Sequence, residues 1–255
     1  MKTLLTVDFD FFVPEKPEWD FGHRESLLFL NMLWGTRMGY LDLMKTDGNE
    51  KDFWQHIPIK PETVWVSDSH MYAYTLLHRV NRVVLFDAHH DCWHSDSLGV
   101  EKREHQVYCH NWLREWLIGG KNRKALWVKP EWQDDACTLP DDMKSKVEVV
   151  TWHKGLDLGL KGPVVTHICR SGCWVPPWLD KAFLGFVEAS TGSLRKAIPM
   201  QDGDWNPLKE RWTAQDFENQ LENEKKVQEI MKTKLISVNS EKFLNCKVEQ
   251  QVAKA

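Results

Sequence analysis

Residues 83–91, Val-Val-Leu-Phe-Asp-Ala-His-His-Asp, run from an apolar stretch into Asp87, His89 and Asp91 at alternate positions. On an extended strand, residues i, i+2 and i+4 share a side, so this spacing predicts two carboxylates and an imidazole converging where a strand leaves its sheet. Carboxylates crowded at the end of a buried strand are costly without cations, and oxygen plus imidazole donors suit Mn²⁺, Zn²⁺ or Fe²⁺ better than a thiolate-loving ion. A polar loop that merely follows a strand is the plainer alternative. The pattern recurs: residues 3–10, Thr-Leu-Leu-Thr-Val-Asp-Phe-Asp, end in Asp8 and Asp10, and Pro14 stops any continuing ladder. Residues 62–70 give a third β-favouring run that delivers His70, which alone would read as a capping or core histidine. Ligands in open α/β sheets collect beyond the carboxyl ends of parallel strands, so the three ends can meet.

The elements that must position these side chains follow from the remaining pattern. Strands are expected at 3–10, 63–67, 82–87, 124–128 and 163–169, with a weaker one at 147–152, and helices at about 25–45 and 105–118. Such alternation predicts an α/β fold, three-layer α/β/α with a mostly parallel central sheet. Segments 42–60 and 134–146 read as surface loops. A chain of 255 residues, 42% hydrophobic and 11% aromatic, suffices for one core. The composition divides it into a metal-binding domain over 1–206 and a charged, largely helical C-terminal extension over 207–255, where 212–234 has helical character with a solvated charged face. The net charge of −4 gives no clear nucleic-acid footprint. No run approaches eighteen apolar residues and no signal peptide is legible at the start, so a cytoplasmic protein without a membrane span is expected. The expected partner is a small-molecule substrate; homo-oligomerisation is left open. Six cysteines lack zinc-finger spacing and read as reduced thiols. Fourteen tryptophans spread along the chain suggest distributed core and pocket-lining roles.

The motifs resemble those of the arginase and agmatinase ureohydrolases and, more distantly, the zinc histone deacetylases. Asp-Ala-His-His-Asp at 87–91 is similar to that superfamily's Asp-Ala-His-x-Asp strand end. Thr6 to Pro14 resembles its Ser-x-Asp-x-Asp-x-x-Asp-Pro, with Val13 in place of the last aspartate, and Ser67-Asp68-Ser69-His70 is a looser counterpart of Gly-Gly-Asp-His-Ser. Asn111-Trp112 and Trp-Val-Lys-Pro-Glu-Trp at 127–132 look like features of a little-characterised arginase-like branch. The likeness spans about residues 1–185. Its motif order is circularly permuted, because the Asp-x-Asp strand opens this chain rather than closing the series; permutation is tolerated where termini lie close together at the surface. The resemblance implies an arginase/deacetylase-like fold holding two divalent metal ions, Mn²⁺ first and Zn²⁺ or Fe²⁺ as alternatives. It also implies that Asp8 and Asp87 bridge the ions, that His70 and Asp91 complete one site, and that His89 and Asp10 complete the other. Four aspartates and two divalent cations would balance in charge.

A hydrolase of this type, attacking a carbon–nitrogen bond of a guanidino or amide substrate through a metal-bound hydroxide, also needs a proton shuttle. His105 and His110 are the catalytic candidates by position. Asn111 and Arg170 are candidate substrate contacts, with helix capping the alternative for residues 110–112 and a surface salt bridge the alternative for Arg170. His90 is expected to point away from the ligands. Two competing readings stand beside this one. The first is a phosphatase resembling the haloacid dehalogenases, with Asp8 as nucleophile and Asp10 as acid/base, which leaves Asp87, His89 and Asp91 unexplained. The second is a non-catalytic, metal-stabilised interaction protein.

Overall fold

Seven short segments rich in Val, Leu and Ile form one all-parallel sheet in the computed structural model. The structure describes residues 2–14, 34, 45–93, 106–133, 138–198 and 206–211, with six helical positions between 219 and 229. The strands are β1 (Lys2–Asp8), β2 (Thr63–Ser67), β3 (Val80–Phe86), β4 (Lys124–Lys129), β5 (Val147–Thr151), β6 (Val164–Cys169) and β7 (Leu194–Ala197), in the spatial order β5-β4-β3-β1-β6-β2-β7. From β1 the chain leaves toward the β2 side, and from β3 it leaves toward β4 and β5. The adjacent pair β1 and β3 therefore marks a topological switch point, where an open parallel sheet leaves a crevice beyond its carboxyl ends.

Alternation along the strands divides the core in two, as a parallel sheet buried on both faces requires. Leu5 and Val7, Val84 and Phe86, and Leu126 and Val128 face one apolar cluster that also takes Phe183, Phe186 and Val187 of helix α2 (Asp180–Ala189). Leu4, Val83 and Leu85, Ala125 and Trp127 face the other, which is covered by Trp112, Leu113, Trp116 and Leu117 of helix α1 (Trp112–Ile118). Among the described residues, no helix is long and apolar enough to cross a membrane.

All six expected strands appear with ends shifted by two residues or fewer, the weak 147–152 candidate included as β5. Strand β7 and helix α2 were not expected. The expected helix over 105–118 is helical only from Trp112, because Asn111 holds 106–111 in turns: its Oδ1 accepts from the Tyr108 amide at 2.7 Å and its Nδ2 donates to the Gln106 carbonyl at 3.1 Å. The helix expected at 25–45 lies outside the described residues apart from Trp34, which is helical, and Lys45, which is not. Of the expected loop 134–146, residues 138–146 include a 3-10 turn, Asp141–Met143, with Met143 buried. Residues 206–211, at the start of the charged C-terminal segment, are tied to the domain through Arg211, which binds Asp180 and the carbonyls of Gly172 and Val175.

Segment 42–60 departs most from its expected place. Its described part, 45–60, carries two 3-10 turns, Asn49–Lys51 and Phe53–Gln55, and buries Phe53, Trp54 and Ile57 in the α2-side core. Phe53 sits among Phe12 at 5.3 Å, Phe86 at 4.9 Å, Trp152 at 5.5 Å and Phe186 at 5.5 Å between ring centroids. The flanking polar residues concealed this anchor. Phe53→Ala is expected to cost about 3–5 kcal/mol of unfolding free energy, the usual range for truncating a core aromatic, whereas a surface-loop position would change it by less than about 0.5 kcal/mol; chemical denaturation separates the two.

Candidate metal centre

The six expected ligands converge, but from turns rather than along strands. Strand β1 ends at Asp8, whose Oδ1 accepts from the Asp10 amide at 3.4 Å and opens a 3-10 turn, Phe9–Phe12. Strand β3 ends at Phe86; Asp87 Oδ1 then accepts from the His89 amide at 2.7 Å, and Asp91 takes left-handed backbone with φ 49°. Aspartate side chains compete with the ladder for backbone N–H groups and tolerate this conformation, so the acidic residues that supply ligands also end the strands. His70 heads a 3-10 turn, His70–Leu76, just beyond β2.

Two clusters result. His70 Nδ1 lies 2.8 Å from Asp87 Oδ2, 3.1 Å from Asp91 Oδ2 and 3.2 Å from Asp8 Oδ2. His89 Nδ1 lies 3.2 Å from Asp10 Oδ2 and 3.5 Å from Asp87 Oδ1. Asp87 thus presents one oxygen to each imidazole. Asp8 has its Oδ2 on the His70 side and its Oδ1 at the Asp10 amide. One ligand atom from each of Asp8, His70 and Asp87 fits within 4.8 Å, and so does one from each of Asp10, Asp87 and His89, so these buried groups could hold a metal ion.

Indoles fix the turns. Trp112 Nε1 donates to Asp91 Oδ2, and Trp127 Nε1 donates to the Asp87 carbonyl at 2.9 Å. Trp132 Nε1 donates to the Phe11 carbonyl at 3.1 Å, and Trp34 Nε1 to the Gly172 carbonyl at 2.8 Å. On the far side, Ser171, itself left-handed at φ 57°, places its hydroxyl 3.5 Å from Asp10 Oδ2, and Trp174 packs 4.7 Å from the His89 ring. The His89 side chain is 25% exposed, while Asp10 and Asp87 are each at 1%.

Burial is the first cause of the unusual proton affinities here. It pushes Asp8 up to about 7, reinforced by Asp10 and opposed by His70, and pushes Asp91 up to about 7, reinforced by Asp87. Asp87 is raised for the same reason, with Asp10 adding to it. For His70, burial alone would lower the pKa, but Asp8, Asp87 and Asp91 together carry it well above the ordinary histidine value. Asp10 Oδ1 is buried with no hydrogen-bond partner. An unpaired buried oxygen among four crowded carboxylates, with imidazole nitrogens facing them, is a donor set that fits divalent cations.

The other expected residues are placed as follows. His90 points away, as anticipated: it is buried between Trp93 and Trp127, its Nδ1 accepts from the Cys92 amide at 2.9 Å, and burial, then His89, lowers its pKa to about 4. His110 stacks on Tyr108 at 5.4 Å, and its carbonyl accepts from the Trp93 amide. His105 lies outside the described residues. Two substrate-contact assignments are corrected. The Asn111 side chain is 1% exposed and closes its own loop. Arg170 is wholly buried, bound to Asp68 at 2.5 Å, Asp180 at 3.3 Å and the Lys209 carbonyl at 2.8 Å, so it is neither a substrate clamp nor a surface salt bridge. Residues missed from the sequence are Thr6 and His167, which line up behind His70, and Ser171 and Trp174, which border Asp10 and His89. The only available signal was a histidine inside the apolar run at 163–169. Compared with protein-family models, curated proteins and solved structures, the chain matches none of them.

The sign of the pH dependence follows from the raised values. Carboxyls whose folded pKa lies above the unfolded value bind protons more tightly when folded, so their contribution to stability falls as pH rises from about 4 through about 7. His70 adds to the loss as pH rises from the ordinary histidine value through its own raised one. Chelator-treated protein is therefore expected to melt at a lower temperature at about pH 8 than at about pH 5.5, with Asp8→Asn reducing the difference and added divalent cation restoring stability at the higher pH. A melting temperature that stays level or rises over this range in the presence of chelator would contradict the crowding.

Proposed function

We propose that the chain is a binuclear metal hydrolase of arginase/deacetylase-like three-layer architecture, cleaving a carbon–nitrogen bond of a guanidino or amide substrate. The observation that carries this reading is Asp87, which turns Oδ2 to His70 and Oδ1 to His89 at 2.8 and 3.5 Å. A carboxylate shared between two ligand sets is the arrangement that holds paired ions. Asp8 and Asp91 join Asp87 and His70 in one set; Asp10 joins Asp87 and His89 in the other. Four aspartate charges call for two divalent cations, and the oxygen-rich donors favour Mn²⁺, with Zn²⁺ or Fe²⁺ compatible.

Bound there, the ions would supply Lewis acidity and lower the pKa of water at the site. The chain's own residues orient and shield. The partly exposed edge of His89 beside Trp174 gives the direction of substrate approach. The indole of Trp112 and the carbonyl contact of Trp127 keep Asp91 and Asp87 from relaxing apart. The phosphatase reading fits less well, because it needs Asp8 free as a nucleophile, whereas Asp8 Oδ2 is held at the His70 ring.

The test combines metal content with turnover. Purified protein is expected to carry two ions per chain; Asp87→Ala should lose both, and His70→Ala only one. A single ion in wild type, or two retained in Asp87→Ala, would refute the shared-ligand reading. Proton delivery to the leaving amine is assigned to His110. With a substrate found by screening guanidino compounds and acylated amines, His110→Ala should lower kcat by roughly 10²- to 10⁴-fold at unchanged metal content. Unaltered kcat would remove His110 from the mechanism.

A further inference from the structure

Behind His70, on the side away from the carboxylates, a single file of hydrogen bonds crosses three strands. His70 Nε2 lies 2.7 Å from Thr6 Oγ1, which lies 2.8 Å from His167 Nδ1; His167 Nε2 lies 2.9 Å from Ser67 Oγ, which donates to the Ser69 carbonyl at 2.8 Å. The sheet register brings this about, since Thr6 on β1 is aligned with His167 on β6 and Ser67 lies on β2, the other neighbour of β6. All four of these side chains are buried.

We infer that Thr6 and His167 are positioning residues that fix the proton of His70 on Nε2 and thereby leave Nδ1 as the atom that takes a cation. This rests on the metal-binding reading above. The polarity follows from the far end. A carbonyl only accepts, so the Ser67 hydrogen is committed to Ser69, and Ser67 must accept from a protonated His167 Nε2. Both nitrogens of His167 face hydroxyls, no carboxylate among the described residues lies against its ring, and the ring is fully buried, so it carries that one proton. Its Nδ1 then accepts from the Thr6 hydroxyl, and Thr6 accepts from His70 Nε2–H. The remaining nitrogen of His70 faces the oxygens of Asp8, Asp87 and Asp91, and a cation or a proton must lie between them. His89 contrasts with it: its Nδ1 also faces carboxylates, but the ring is partly exposed and lies against Trp174. The His70 set is thus the pre-ordered one.

The experiment pairs nitrogen NMR of the histidine rings with metal titration of wild type, Thr6→Val and Thr6→Ser. In the wild-type protein, His167 is expected to carry its proton on Nε2 with Nδ1 bare, and His70 Nε2 to be protonated with or without metal. Thr6→Val keeps the shape and removes the hydroxyl; it should weaken one of the two ions by about 10–100-fold, the usual cost of losing a ligand's supporting hydrogen bond, leave the other unchanged, and be rescued by Thr6→Ser. A proton on His167 Nδ1, or Thr6→Val binding both ions as tightly as wild type, would overturn the assignment. If wild type takes up no ion, the metal reading fails, while the ring spectra still decide the hydrogen-bond polarity.

Discussion

Four aspartate carboxylates gathered around two imidazoles and shut away from water form the constraint that the rest of the molecule answers to. Left to themselves, Asp8, Asp10, Asp87 and Asp91 would repel one another and seek solvent, and burial adds to the cost. The fold opposes both tendencies with rigid attachments. Each acidic turn grows from the end of a central strand with neighbours on both sides, so its backbone has no freedom to withdraw. The imidazoles enter from the loop after β2 and from the turn after β3, and they are the groups placed between the charges.

Tryptophan supplies much of the rigidity. An indole offers a large apolar body and a single N–H, so a buried one packs against a core cluster and anchors one acceptor. Here those acceptors are the Asp87 and Phe11 carbonyls, the Gly172 carbonyl and the Asp91 carboxylate, all on turns that bear ligands or border them. Four of the fourteen tryptophans are thereby accounted for by position rather than by a binding strip. Behind the Gly172 turn, Arg170 and Arg211 with Asp68 and Asp180 form a buried ionic knot. Breaking one partner of such a knot leaves an uncompensated buried charge, which makes it a rigid support for Ser171 and Trp174.

Much of this was legible in the sequence. The apolar runs ending in Asp-x-Asp and Asp-x-His-x-Asp announced the central strands and five of the ligands, because parallel strands buried on both faces read as continuous hydrophobic stretches. The route by which the ligands converge was not legible. Alternation implied extended backbone through residue 91, whereas the carboxylates themselves end the strands by capturing backbone amides, and Asp91 turns left-handed. Arg170 was misjudged because its burial depends on Asp68, 102 residues away in the chain, and no local pattern encodes that partner. Strand β7, Leu-Arg-Lys-Ala, is a half-exposed edge whose charged residues suit a sheet margin and hide it from a search for apolar runs. Phe53 and Trp54 were concealed by the polar residues on either side of them.

The place of β6 in the sheet has a consequence for how the molecule comes into being. Strands β1, β3, β4 and β5 are mutual neighbours in the sheet and can pair as soon as they are synthesised, but β2 touches only β6 and β7, both made later. His70, just past β2, therefore has no sheet-anchored place until residues 164–169 slide in between β1 and β2. The aspartates of β1 and of the turn after β3 are gathered first, and the histidine that stands among them arrives with the last strands to be inserted. Long-range parallel pairing of this kind is intrinsically slow, and the sheet order requires it here, because the acidic cluster cannot close around His70 until β6 has paired with both β1 and β2.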